Sequence, residues 1–172
     1  MKILVVPLTN ANSMLVAMNS HAEKQRAYDF EKIKDWARCD KNFVIAQRLN
    51  CNNEVAFGGF LKLLEAGLGY SVFQPMESDS YPNIVSASEA EVAYMTHLLL
   101  RELSSKDKDE ELEVVFMSNS PAVLVLSSLL KAKCPEAFVS VMAPEEHLYD
   151  EIYENDDLVD EVFDITKLDL FR

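Results

Sequence analysis

The chain has 172 residues, 49% hydrophobic and 26% charged, with 16 Lys and Arg against 29 Asp and Glu and a net charge of −13. This size and apolar share fit one soluble domain with a real core and exclude a chain disordered throughout. Uncharged stretches such as Val114 to Leu130, broken by Asn119, Pro121 and serines, fall short of the ~20 predominantly apolar residues of a membrane span, so neither a transmembrane helix nor a membrane partner is expected.

Residues 2–8 (KILVVPL) read as a short apolar strand that gives way to a polar run, Thr9 to Ser13. From Ser20 to Cys39 the pattern is helical. Ser20 and Glu23 have capping-box spacing, and Asp29 offers a second start, so one helix or two consecutive ones fit. A strand is predicted over 42–48 and a helix over 57–66, with Gly67 at the left-handed cap and Gly69 just after it. Residues 70–74 form the next strand, and 76–83, with two prolines, a long loop. Ser86 and Glu89 then open a long helix whose wide apolar face carries Val92, Met95, Leu98, Leu99 and Leu103.

A strand over 112–117 leads into Ser118, Asn119, Ser120 and Pro121, a polar turn with an N-cap and a first-turn proline, ahead of an apolar helix ending near Lys133. Strand 137–142, an acidic helix over 144–154 and a short strand over 162–166 complete the order. Strand and helix alternate throughout. The expectation is a single α/β domain over 1–172, with a mostly parallel sheet of about five to six strands and helices on both faces.

The charge is uneven. Residues 1–86 carry equal numbers of acids and bases, and the whole excess falls in the second half, concentrated between Glu145 and Asp169. Any anion-binding face is therefore expected away from that segment. Cys39, Cys51 and Cys134 are odd in number and widely spaced, which disfavours a disulfide framework or a zinc site. With no secretory pattern after Met1, a cytoplasmic location is expected.

An open parallel sheet binds ligands outside the carboxyl ends of its strands. Thr9, Asn10, Asn12 and Ser13 follow the first strand, and Ser118, Asn119 and Ser120 follow the fourth. Both runs are short, polar and uncharged, and both suit either helix capping or a phosphate held at helix N-termini. The glycines at 58, 59, 67 and 69 make neither nucleotide-binding fingerprint, and no GxSxG elbow occurs. His21, His97 and His147 lack metal-ligand spacing.

The element order and several segments resemble the NYN branch of the PIN-like nucleases, α/β domains that usually cut RNA with Mg²⁺ or Mn²⁺. The resemblance is at pattern level and spans nearly the whole chain. Asn12 after strand one is similar to the Asn of that family's Asp-Gly-x-Asn opening. The segment from Phe60 to Tyr70 resembles its glycine-flanked helix and strand, and Glu91 to His97 stands where the family often has an Asp-led helix. Val115 to Ala122 resembles its Ser-Gly-Asp-Ser-Asp strand end, and Glu161 to Ile165 its last short strand. The family's acids are largely replaced, by Thr9, His97, Ser120 and Ala122, which leaves Glu91 as the one matching carboxylate. Two-metal cleavage needs several converging oxygen ligands. The resemblance thus implies a pseudoenzyme with no catalytic residues, metal ligands or cofactor, which binds RNA or another phosphate-bearing ligand.

In that reading Thr9, Asn10, Asn12, Ser13, Glu91, Ser118, Asn119 and Ser120 hold the ligand, and Lys24, Lys32, Lys34, Arg38 and Arg48 supply basic contacts to nucleic acid. Two alternatives stay open. One is a protein-interaction or assembly module, a homo-oligomer or a binder of a basic partner through the acidic C-terminal region. The other is an active nuclease using Mg²⁺ or Mn²⁺, with Asp79, Glu89, Glu91 and Glu113 as candidate acids.

Overall fold

The computed structural model describes residues 1–8, 28–46, 54–73, 87–118, 122–142 and 157–172. Six strands, β1 (Lys2–Leu8), β2 (Lys41–Ala46), β3 (Ser71–Phe73), β4 (Glu113–Phe116), β5 (Phe138–Met142) and β6 (Glu161–Phe163), form one parallel sheet in the order β3-β2-β1-β4-β5-β6. Four helices are present among the described residues: α1 (Phe30–Ala37), α2 (Glu54–Lys62), α3 (Ala87–Ser105) and α4 (Ala122–Lys133).

β1 is apolar at nearly every position because it is central and covered on both faces. Its side chains alternate with the pleat. Ile3 and Val5 enter one core with Met95 and Leu98 of α3 and Leu126 and Leu130 of α4. Leu4, Val6 and Leu8 enter a second with Ile33 of α1 and Phe57 and Leu61 of α2. Helices on both faces are thus accounted for residue by residue.

α1 starts at the second of its two candidate positions. Asp29 is its N-cap, its carboxylate accepting from the N–H groups of Glu31 and Lys32 at 3.2 Å. The helix ends at Ala37, with Arg38 in a left-handed cap at φ 50°. Residues 9–27 and the acidic helix predicted over 144–154 lie outside the described residues. After Lys62 the chain widens into a single π-turn, Leu63–Gly67, in which Leu68 N–H donates to Leu63 O at 3.1 Å. That longer turn carries Gly67 inside the helical path and hands the positive φ, 69°, to Gly69, which corrects the cap expected at Gly67. Tyr70 then anchors the segment, its hydroxyl donating to Phe30 O at 2.6 Å.

On the α1 face the C-terminal residues pack against the helix and its cap. Leu170 is buried, Asp29 N–H donates to Leu170 O at 3.0 Å, Tyr28 bridges to Phe171, and Trp36 meets Phe163 at 4.7 Å between ring centroids. At the amino edge of the sheet Asp40 accepts from Lys2 N–H at 2.7 Å, Lys2 pairs with Glu113 at 2.9 Å and Lys41 with Glu102 at 2.6 Å.

Cys39 sits beside this edge. Burial, with smaller help from Glu113 and Asp40 and against the pull of Lys2, pushes its thiol up to about 12, and burial raises Tyr70 as well. An unfolded thiol ionises near pH ~8.5 while the folded one holds its proton, so the contribution of Cys39 to stability is complete below that pH and is lost as pH rises toward about 12. Urea midpoints should fall across the alkaline range, and less steeply in Cys39→Ala. Equal slopes for the two proteins would contradict this assignment.

Candidate functional site

Strand order reverses at β1. The chain steps outward through β2 and β3, then returns through α3 to place β4 on the other side of β1. In open α/β sheets such a reversal leaves a crevice at the carboxyl ends of the two flanking strands. Here those strands are β1 and β4, and the two polar runs read from the sequence follow them directly.

Pro7 shapes the end of this crevice. Odd residues of β1 face β4: Glu113 N–H donates to Met1 O and Met117 N–H to Val5 O, both at 2.9 Å. Even residues face β2, as Asp40 N–H to Lys2 O shows. The next donor toward β4 would be residue 7, and proline has no N–H. Accordingly β1 pairs with β2 as far as Leu8↔Ala46, but with β4 only as far as Val5↔Phe116. The two strands stop pairing before the carboxyl edge.

Ser118 lies just past β4, buried at 5% exposure, and α4 begins at Ala122. Thr9, Asn10, Asn12, Ser13, Asn119 and Ser120 lie outside the described residues, as do Lys24, Arg48 and Asp79. Glu91 and Glu89 fall in the first two turns of α3, at its carboxyl-edge end. Their side chains lie outside the described residues.

The described residues of the basic stretch, Lys32, Lys34 and Arg38, are not gathered at the crevice. Lys32 Nζ binds Asp169 at 3.1 Å and Phe171 O at 3.1 Å, and Lys34 Nζ donates to Leu68 O. Arg38 caps the far end of α1, next to the amino edge of the sheet. Glu113 opens β4 at that same amino edge and pairs with Lys2, so the strand's length separates it from the crevice and from a shared metal site there. Among the described residues no three His, Cys, Asp or Glu side chains come together to hold a metal ion.

One cluster escaped the sequence reading. Phe73, the last residue of β3, lies beside His97 and Arg101 of α3, with its ring centroid 5.7 Å from the histidine ring and 5.7 Å from the guanidinium carbon. In sequence His97 stood only as a replacement for one of the family's acids and as a histidine without metal-ligand spacing. Only the packing of α3 on an edge strand brings the three together.

No protein-family model matches the chain, and no curated protein sequence matches it. A solved structure of a protein of unknown function from Vibrio parahaemolyticus is similar in fold, with a TM-score of 0.58 and 15% sequence identity over 99% of this chain and 94% of that one. At that identity the likeness carries the α/β fold alone. No helix among the described residues is long and apolar enough to cross a membrane.

Proposed function

We propose that the chain is a catalytically inactive PIN/NYN-like domain that binds RNA, or another phosphate-bearing ligand, at the carboxyl edge of its sheet. The observation that supports this reading is the reversal between β1 and β4, with uncharged Thr9 to Ser13 and Ser118 to Ser120 following the two flanking strands. Short hydroxyl and amide side chains ahead of a helix suit an anion without a metal, because they add donors and no negative charge. The departures from the family's acids point the same way. Segment 157–172, rich in acid, includes β6, two strands away from the reversal.

The test is a titration with labelled single-stranded RNA at several salt concentrations. Affinity should fall with salt by about 0.7 log units per tenfold for each phosphate contacted. Pro7→Val restores a donor toward β4, so it should raise stability by about 0.5–1.5 kcal/mol while weakening RNA binding. Absence of any salt-dependent binding would overturn the reading. RNA cleavage that requires Mn²⁺ and is lost in Glu91→Gln would replace it with an active nuclease.

A further inference from the structure

We propose that Phe73, His97 and Arg101 form a stacking platform for an unpaired base of single-stranded RNA; this rests on the RNA-binding reading and names which part of the ligand this edge takes. Phe73 is half-buried and packs against the core under α3, which fixes its ring. The His97 ring lies 28° from parallel to it, and Arg101 stands one helical turn further on. The guanidinium is also 6.0 Å from the ring of Phe43, so two aromatic rings hold its position. Both outer groups face solvent, with Arg101 half exposed.

Glu102 helps to orient the guanidinium: its Oε1 accepts from Arg101 Nε and Nη2, each at 3.4 Å, while its Oε2 makes the shorter contact with Lys41, at 2.6 Å. Two planar groups, one aromatic and one cationic, are thus presented on a rigid base. Unpaired RNA bases stack on such aromatic and guanidinium planes, and the interaction tolerates any base because every base has a π-face.

The placement fits a strand that also uses the crevice. Phe73 is in register with Ile45 of β2, and Ile45 with Pro7 of β1. Phe73 therefore shares a row with the end of the β1–β4 ladder, about 10 Å from β1 at two strand spacings, and Arg101 extends from it toward Phe43. β3 is also the edge farthest from β6, so the platform has the whole sheet between it and that acidic strand.

The full chain should be titrated with a labelled single-stranded oligoribonucleotide and, separately, with inorganic tripolyphosphate, which has charge but no base. His97→Ala and Arg101→Ala should each weaken RNA binding about tenfold while changing tripolyphosphate binding by less than about twofold. His97→Phe should keep RNA affinity, and Arg101→Lys, which preserves charge but not the plane, should lose it as the alanine variant does. Unchanged RNA affinity in both alanine variants would overturn the platform and leave the crevice reading standing. Equal losses for both probes would reduce the cluster to a charge effect and overturn stacking. Tripolyphosphate binding without RNA binding would do the same, and binding of neither probe would overturn both readings.

Discussion

Phe116→Ala should lower the free energy of unfolding by about 3–5 kcal/mol. Phe116 is fully buried in β4, with Val5 and Val141 as its neighbours across the sheet. Its ring belongs to the core that joins the sheet to α3 and α4, among Met95, Leu98 and Leu126. Removing the ring forfeits its transfer free energy and leaves a cavity that paired strands on both sides cannot collapse to fill. A domain of ordinary stability has about 5–15 kcal/mol in total, so the variant loses about a fifth of it or more. Phe116→Leu keeps most of the volume and should cost less than about 1.5 kcal/mol. Urea unfolding of the three proteins, compared at equal m-value, checks both figures. A loss below about 1 kcal/mol for the alanine variant would mean that β4 is not the packed centre of the sheet.

Asp160→Ala should cost about 2–3 kcal/mol, a large effect for a partly exposed residue. One oxygen of its carboxylate accepts from Val139 N–H at 2.7 Å and from Lys131 Nζ at 2.7 Å, while its own N–H donates to Val139 O at 2.9 Å. The residue just before β6 thus fastens that strand to β5 and to α4 together. Alanine leaves the buried Val139 N–H and the largely covered Lys131 ammonium without this partner. Asp160→Asn keeps an acceptor but drops the charge, and should cost about half as much. Beyond the urea midpoint, the amide of Val139 should exchange faster in the alanine variant. An unchanged midpoint would show that β6 is held by packing alone.

The fold was legible because a buried parallel strand leaves a simple trace. Residues 2–8, 112–117 and 137–142 are apolar runs bounded by turn residues, and the structure moves their ends by a residue or so. The short edge strand β6, predicted over 162–166, was placed less sharply, since an exposed edge asks less of its side chains. The π-turn after α2 was not legible, because nothing in the pattern from Phe60 to Gly69 marks a helix that gains a residue.

The candidate site divides in the same way. Its two polar runs could be read from sequence because each directly follows a predicted strand. That their strands are neighbours follows only from the sheet order, which chain order alone does not give. The basic residues misled for the opposite reason. Lys32, Lys34 and Arg38 are close in sequence, yet a helix spreads them around its circumference and along its length, and their partners come from distant segments such as Asp169 and Leu68. Pro7 read only as one residue of the strand over 2–8, whereas its consequence lies in the direction its missing N–H faces.

The position of β1 also bears on how the protein is made. Of the six strands of the sheet it is the first to be synthesised, and it is destined for the middle, where Val5 must wait for Phe116. Until then KILVVPL is an apolar segment with one side of its backbone unclaimed, the kind of strand that pairs with other nascent chains. Lys2 at one end and Pro7 near the other are the residue types that discourage such pairing. The same proline that ends the β1–β4 ladder thus also leaves the unpaired segment one donor short.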